Sequence, residues 1–76
     1  MNADRRKALR KIYAAIEEAK SDLETVHDEE HEAFLNIPEN LEGSERYEAA
    51  ENAVDNLEGA FSGLEEVLEY IDEAMI

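Results

Sequence analysis

The chain has 76 residues, with 21 acidic and 7 basic side chains and a formal charge of −14 at pH 7. That length holds one small domain, and the charge excludes non-specific attraction to nucleic acid or to an anionic membrane surface. With no cysteine there is no disulfide or thiolate metal site, and no apolar run approaches the roughly 18 residues of a membrane span.

The chain opens on a basic turn, Arg5-Arg6-Lys7 and Arg10-Lys11. It is not the start of a signal peptide, because only Ile12–Ile16 separates it from Glu17-Glu18. A cytoplasmic protein is therefore expected. Asn2 or Asp4 can cap a first helix, and Asp4 suits its positive N-terminal end. Leu9, Ile12, Ile16, Ala19, Leu23 and Val26 then recur at 3,4 spacing, with Ala33 a full heptad further on, which places them on one stripe of a helix predicted over about 3–35. Hydrophobic residues are 43% of the chain, and their strict periodicity argues for ordered helix over acid-rich disorder.

Pro38 disfavours the helical region at Ile37, so an ordered turn is predicted over about 36–43, with Ile37 and Leu41 folded back onto the end of the helices. Ser44 is a strong N-cap for a second helix over about 44–75. There Tyr47, Ala50, Val54, Leu57, Phe61, Leu64, Leu68, Ile71 and Met75 keep the 3,4 spacing without a miss. Gly59 and Gly63 lie within this helix at about 1 kcal/mol each relative to alanine. Four residues apart, they share a face. They either admit a close neighbouring backbone or are tolerated at the surface, and a break in the helix is possible at them.

Two helices of equal length joined by a short turn predict an all-α fold, an antiparallel two-helix hairpin of coiled-coil type occupying 1–76 as a single domain. Charge agrees. Residues 1–11 carry five bases against one acid, whereas residues 12–76 carry 20 acids against two bases. An antiparallel arrangement lays the basic turn beside Glu65, Glu66, Glu69, Asp72 and Glu73, where each exposed pair contributes under about 1 kcal/mol. A lone hairpin buries little. A further stripe at Ala53, Ala60, Val67 and Ala74, widened by Ala49 and Tyr70, therefore predicts self-association, most simply as a homodimeric four-helix bundle. Ala8, Tyr13, Ala15 and Phe34 flank the ladder on the first helix.

No catalytic, cofactor or metal site is expected. His27 and His31 are spaced as in H-E-x-x-H, but Asp28 replaces the glutamate base and no third ligand is evident. Glu24-Thr25-Val26-His27 spells the E-x-x-H of di-iron bundles, but Glu24 falls on the outer face. Ser62 between Gly59 and Gly63 lies one position off a nucleophile elbow, with no strand beside it. The acids Glu48, Glu51, Asp55, Glu58, Glu65, Glu66 and Glu69 form the expected partner face. A net −18 over roughly 50 Å of rod is one charge per roughly 2.8 Å, or per roughly 1.4 Å in a dimer, beside one per roughly 1.7 Å in duplex DNA. An alternative role is thus that of a DNA mimic filling the basic groove of a nuclease or other nucleic-acid-binding protein. A purely structural self-assembling bundle is the blandest alternative.

The stretch Asp28-Glu29-Glu30-His31-Glu32-Ala33-Phe34 and the turn Asn36-Ile37-Pro38-Glu39-Asn40-Leu41-Glu42-Gly43-Ser44-Glu45-Arg46 resemble segments of small acidic helical-hairpin proteins of bacteriophages and prophages. The resemblance spans about residues 4–76, with the turn its most specific part. Gly59 and Gly63 stand where such tails usually carry acid or alanine. What the resemblance implies is a phage or mobile-element origin, in the bacterial host cytoplasm. Such proteins have no established activity, so no catalytic residues transfer, and small acidic phage proteins often act by binding a host protein to inhibit or modulate it, including defence systems such as CRISPR.

Overall fold

The computed structural model describes all 76 residues. Helix α1 (Ala3–Leu35), a 3-10 turn (Glu39–Leu41) and helix α2 (Glu45–Ala74) form a rod 59 Å long. Asn2 caps α1, its side-chain oxygen accepting from the Arg5 N–H at 2.8 Å. Ser44 caps α2 by accepting from the Tyr47 N–H at 3.2 Å. The turn closes as Pro38 dictates. The Ile37 N–H donates to the Phe34 carbonyl, Leu41 donates to the Pro38 carbonyl, and Gly43 takes a φ of 82° just before the cap. Ile37 and Leu41 are half-buried at this end of the rod.

The helices run antiparallel. Near the termini the Arg6 Nε donates to the Met75 carbonyl at 3.2 Å, and the Tyr13 hydroxyl donates to Asp72 at 3.4 Å. Near the turn the Phe34 and Tyr47 rings lie 4.9 Å apart. None of the basic side chains of residues 5–11 closes an ion pair with a C-terminal acid, since the chain's ion pairs are those of His27. The expected juxtaposition of opposite charge is thus a long-range attraction without direct contact.

On α2 the seam is the predicted ladder. Val54 and Leu68 are its buried members, 6% and 5% exposed, and the remaining seven ladder residues are half-buried. Gly59 and Gly63 do not interrupt the helix. A Cβ added at either would meet open space, so no backbone of this chain approaches them.

On α1 the seam differs from the expectation. Leu9, Ile16 and Leu23 face α2 as predicted, but Ile12, Ala19, Val26 and Ala33 are exposed, Ile12 and Val26 at 49%. Their places are taken by Tyr13, Lys20, His27 and Phe34, and Arg6 and Glu30 continue the same 3,4 row. The helix is turned by one seventh of a revolution, about 51° in a seven-residue repeat. The exchange has a physical basis. It brings two aromatic rings, Tyr13 and Phe34, against α2 in place of Ile12 and Ala33, each ring with about 150–250 Å² to bury. Lys20 and His27 lay their apolar bodies along the seam while their polar tips reach out. The Lys20 ammonium sits 5.1 Å above the Phe61 ring, within cation–π range.

Candidate protein-interaction surface

The seven-residue repeat assigns every side chain to a side of the rod. Position a holds Arg6, Tyr13, Lys20, His27 and Phe34 on α1, and Tyr47, Val54, Phe61, Leu68 and Met75 on α2. Position e, beside a, then holds Arg10, Glu17, Glu24 and His31 on α1 and Glu51, Glu58, Glu65 and Asp72 on α2. Position g, on the other flank, holds Ile12, Ala19, Val26 and Ala33 on α1 and Ala53, Ala60, Val67 and Ala74 on α2. In an antiparallel pair, the two e rows border one side of the seam and the two g rows the other. The contacts agree: Tyr13 to Asp72 and His27 to Glu58 each run from an a residue to an e residue of the other helix.

The e side is acidic. All ten acids of α2 fall at e, b or f, the half of that helix turned away from its g row. They include the predicted partner face Glu48, Glu51, Asp55, Glu58, Glu65, Glu66 and Glu69, all exposed. Glu51, Asp55 and Glu58 are brought together with His31 of α1 along a shallow groove floored by Phe34, Tyr47 and Val54. Glu66 and Glu69 lie farther along the rod, with Tyr70, Asp72 and Glu73 around a second shallow depression.

His27, absent from the ladder expected for α1, lies in the seam on this side. Its side chain is only 19% exposed, with Nδ1 3.1 Å from Asp28 Oδ1 and Nε2 3.2 Å from Glu58 Oε1. A neutral imidazole carries one N–H, so both acids are served at once only by the protonated ring. The hydrogen bond to Asp28, then that to Glu58, raise its pKa above the ordinary histidine value, against the opposing effect of desolvation. The His31 ring stacks on it, 5.9 Å away and 7° from parallel. No group of three or more His, Asp or Glu side chains is placed to hold a metal ion. At the other end Tyr13 has its pKa raised by burial and by the nearby charges of Asp72 and Glu17. The seam position of His27 could have been found from Tyr13 and Phe34: both lie whole heptads away, and aromatic side chains favour the seam.

The g side carries no acid at its two rows. Its members are the predicted self-association stripe Ala53, Ala60, Val67 and Ala74 together with the displaced α1 ladder. Val67 is 41% exposed and the neighbouring Tyr70, widest of the predicted stripe, 72%. Only Ala53 of that stripe is half-buried within the chain.

The chain matches no protein-family model, no curated protein and no solved structure. Fold and surface together define an acidic antiparallel helical hairpin, and no helix in it is long and apolar enough to cross a membrane.

Proposed function

We propose that the chain is a non-enzymatic interaction protein whose acidic side binds a protein bearing a basic surface, and that it does so as a homodimer. The observation that carries this reading is the sorting of charge. Every acid of α2 lies on the half turned away from its g row, and Glu17 and Glu24 of α1 border the same side. The g flank is kept free of acid for self-association, and the carboxylates at e, b and f gather on the side that remains exposed, where a basic surface would be drawn. The resemblance of the turn to phage and prophage proteins supports a bacterial host protein, including one of a defence system, as the target.

The experiment is capture from bacterial lysate by the wild-type chain and by Glu51→Lys with Glu65→Lys, which leaves the His27–Glu58 contact in place. A protein retained by the wild type, released by salt and lost with the charge reversal is the expected result. Equal recovery by the two chains overturns the proposal.

DNA mimicry is the second reading. It is favoured by ten carboxylates on the 30-residue α2, one per about 4.5 Å of helix, beside one phosphate per roughly 3.4 Å of a DNA strand. Displacement of the captured protein by duplex DNA distinguishes this reading from binding to a basic surface that has no nucleic-acid function.

A further inference from the structure

Given the self-association proposed above, we infer that the surface joining two copies is the whole g side, built by both helices, and that the copies pack back to back with their acidic sides pointing apart. The stripe on α2 was legible from the sequence. Its counterpart on α1 exists because the seam is rotated, which leaves Ile12 and Val26 half out in water in a chain with only two buried residues.

Three features select a second copy as the occupant. First, charge: the chain is at −14, but its two g rows hold no carboxylate between Ile12 and Ala33 or between Ala53 and Ala74. Two such sides therefore meet along these rows without desolvating an acid, with Asp22 and Glu29 at the outer edge of the α1 row where they stay in water, whereas a basic partner would be drawn to the opposite side. Second, size: a face two helices wide, about 20 Å, and roughly 50 Å long covers on the order of 1,000 Å². A stable interface needs about 800 Å² per partner. Third, shape: the antiparallel register puts Ala19 and Ala60 at mid-length. Ile12 and Val67 stand on one side of that centre and Val26 on the other. A second hairpin related by a two-fold axis through the alanines can approach closely there and pack its branched side chains around the centre, as four-helix bundles do.

The assembly is then bivalent. Each acidic side remains free, so one dimer binds two partner molecules, one on each side.

Sedimentation equilibrium at about 100 µM tests the surface, since self-association follows mass action. The wild type should weigh about 17 kDa, twice the 8.6 kDa chain, and Val26→Glu with Val67→Glu should weigh 8.6 kDa. Glu17→Gln with Glu65→Gln, on the acidic side, should leave the dimer intact. If the doubly charged variant unfolds by circular dichroism, cross-linking decides, because the chain has no native cysteine. Ala19→Cys and Ala60→Cys chains, singly or mixed, should yield a covalent dimer on oxidation, and Asp55→Cys should not. A wild type of 8.6 kDa overturns dimer and surface together. A dimer that survives both g-row glutamates, or that cross-links through position 55 and not through 19 or 60, leaves dimerisation standing and overturns the surface. Neither outcome touches capture of a partner by the acidic side.

Discussion

His27 reaches from the seam position of α1 to Glu58 on α2, Nε2 to Oε1 at 3.2 Å, while its other nitrogen meets Asp28 of its own helix at 3.1 Å. The bond ties the two helices on the turn side of mid-length and turns a seam residue into part of the acidic side. Its strength depends on the proton that lets both nitrogens donate.

The pH dependence follows from the sign of that shift. The folded-state pKa of His27 is raised, chiefly by the Asp28 and Glu58 hydrogen bonds. Its contribution to stability is therefore complete below the unfolded value of about 6.5 and is lost as pH rises through the folded value. The melting-temperature gap between wild type and His27→Gln should be wider at about pH 6 than at about pH 8.5, well past the ordinary titration range. A gap of equal size at both pH values would show that the double hydrogen bond contributes nothing that titrates.

Neighbouring residues 67 and 68 should behave in opposite ways. Leu68 is 5% exposed at the heart of the seam, and Leu68→Ala should destabilise the hairpin by about 2–4 kcal/mol in urea melts. Val67, 41% exposed on the g side, contributes little within one chain, so Val67→Ala should act mainly on the dissociation constant of the dimer. Equal losses of chain stability at the two positions would contradict the placement of the seam.

Gly43 and Gly59 separate by backbone conformation. Gly59 lies in helix with open space where a Cβ would go, so Gly59→Ala should stabilise by about 0.5–1 kcal/mol. Gly43 holds a φ of 82° ahead of the Ser44 cap, and Gly43→Ala should destabilise by about 1 kcal/mol. Thermal melts of the two variants should move in opposite directions, and a destabilising Gly59→Ala would indicate a close neighbour on that outward face.

Much of this was readable from residue spacing alone. Pro38 and Ser44 mark the turn, the asymmetry between Arg5–Lys11 and the acidic C-terminal turns sets the helix direction, and the unbroken ladder from Tyr47 to Met75 is the seam of α2. The seam of α1 was not readable in the same way, because two 3,4 rows share Leu9, Ile16 and Leu23. Counting apolar residues chooses the row through Ile12 and Val26. The fold chooses the row through Tyr13 and Phe34, where ring contacts with Tyr47 and a hydroxyl bond to Asp72 outweigh the polar tips of Lys20 and His27. Whole-helix rotation is decided by the partner helix, and within α1 only the heptad-spaced aromatic pair Tyr13 and Phe34 hints at it. The acids of α2 were legible as one exposed face because the α2 ladder that places them is the observed seam, and only the alignment of Glu17 and Glu24 beside them depends on the rotation of α1.

The most direct measurement of the central claim is calorimetric titration of the captured protein into this chain across about 50 to 300 mM salt, a range in which exposed charges become strongly screened. Affinity should fall steadily as salt rises, should fall further with Glu51→Lys and Glu65→Lys, and should reach one partner per chain at saturation. Binding that is indifferent to salt and is abolished instead by Val26→Glu with Val67→Glu would show that the apolar side, and not the acidic one, is where this protein meets its target.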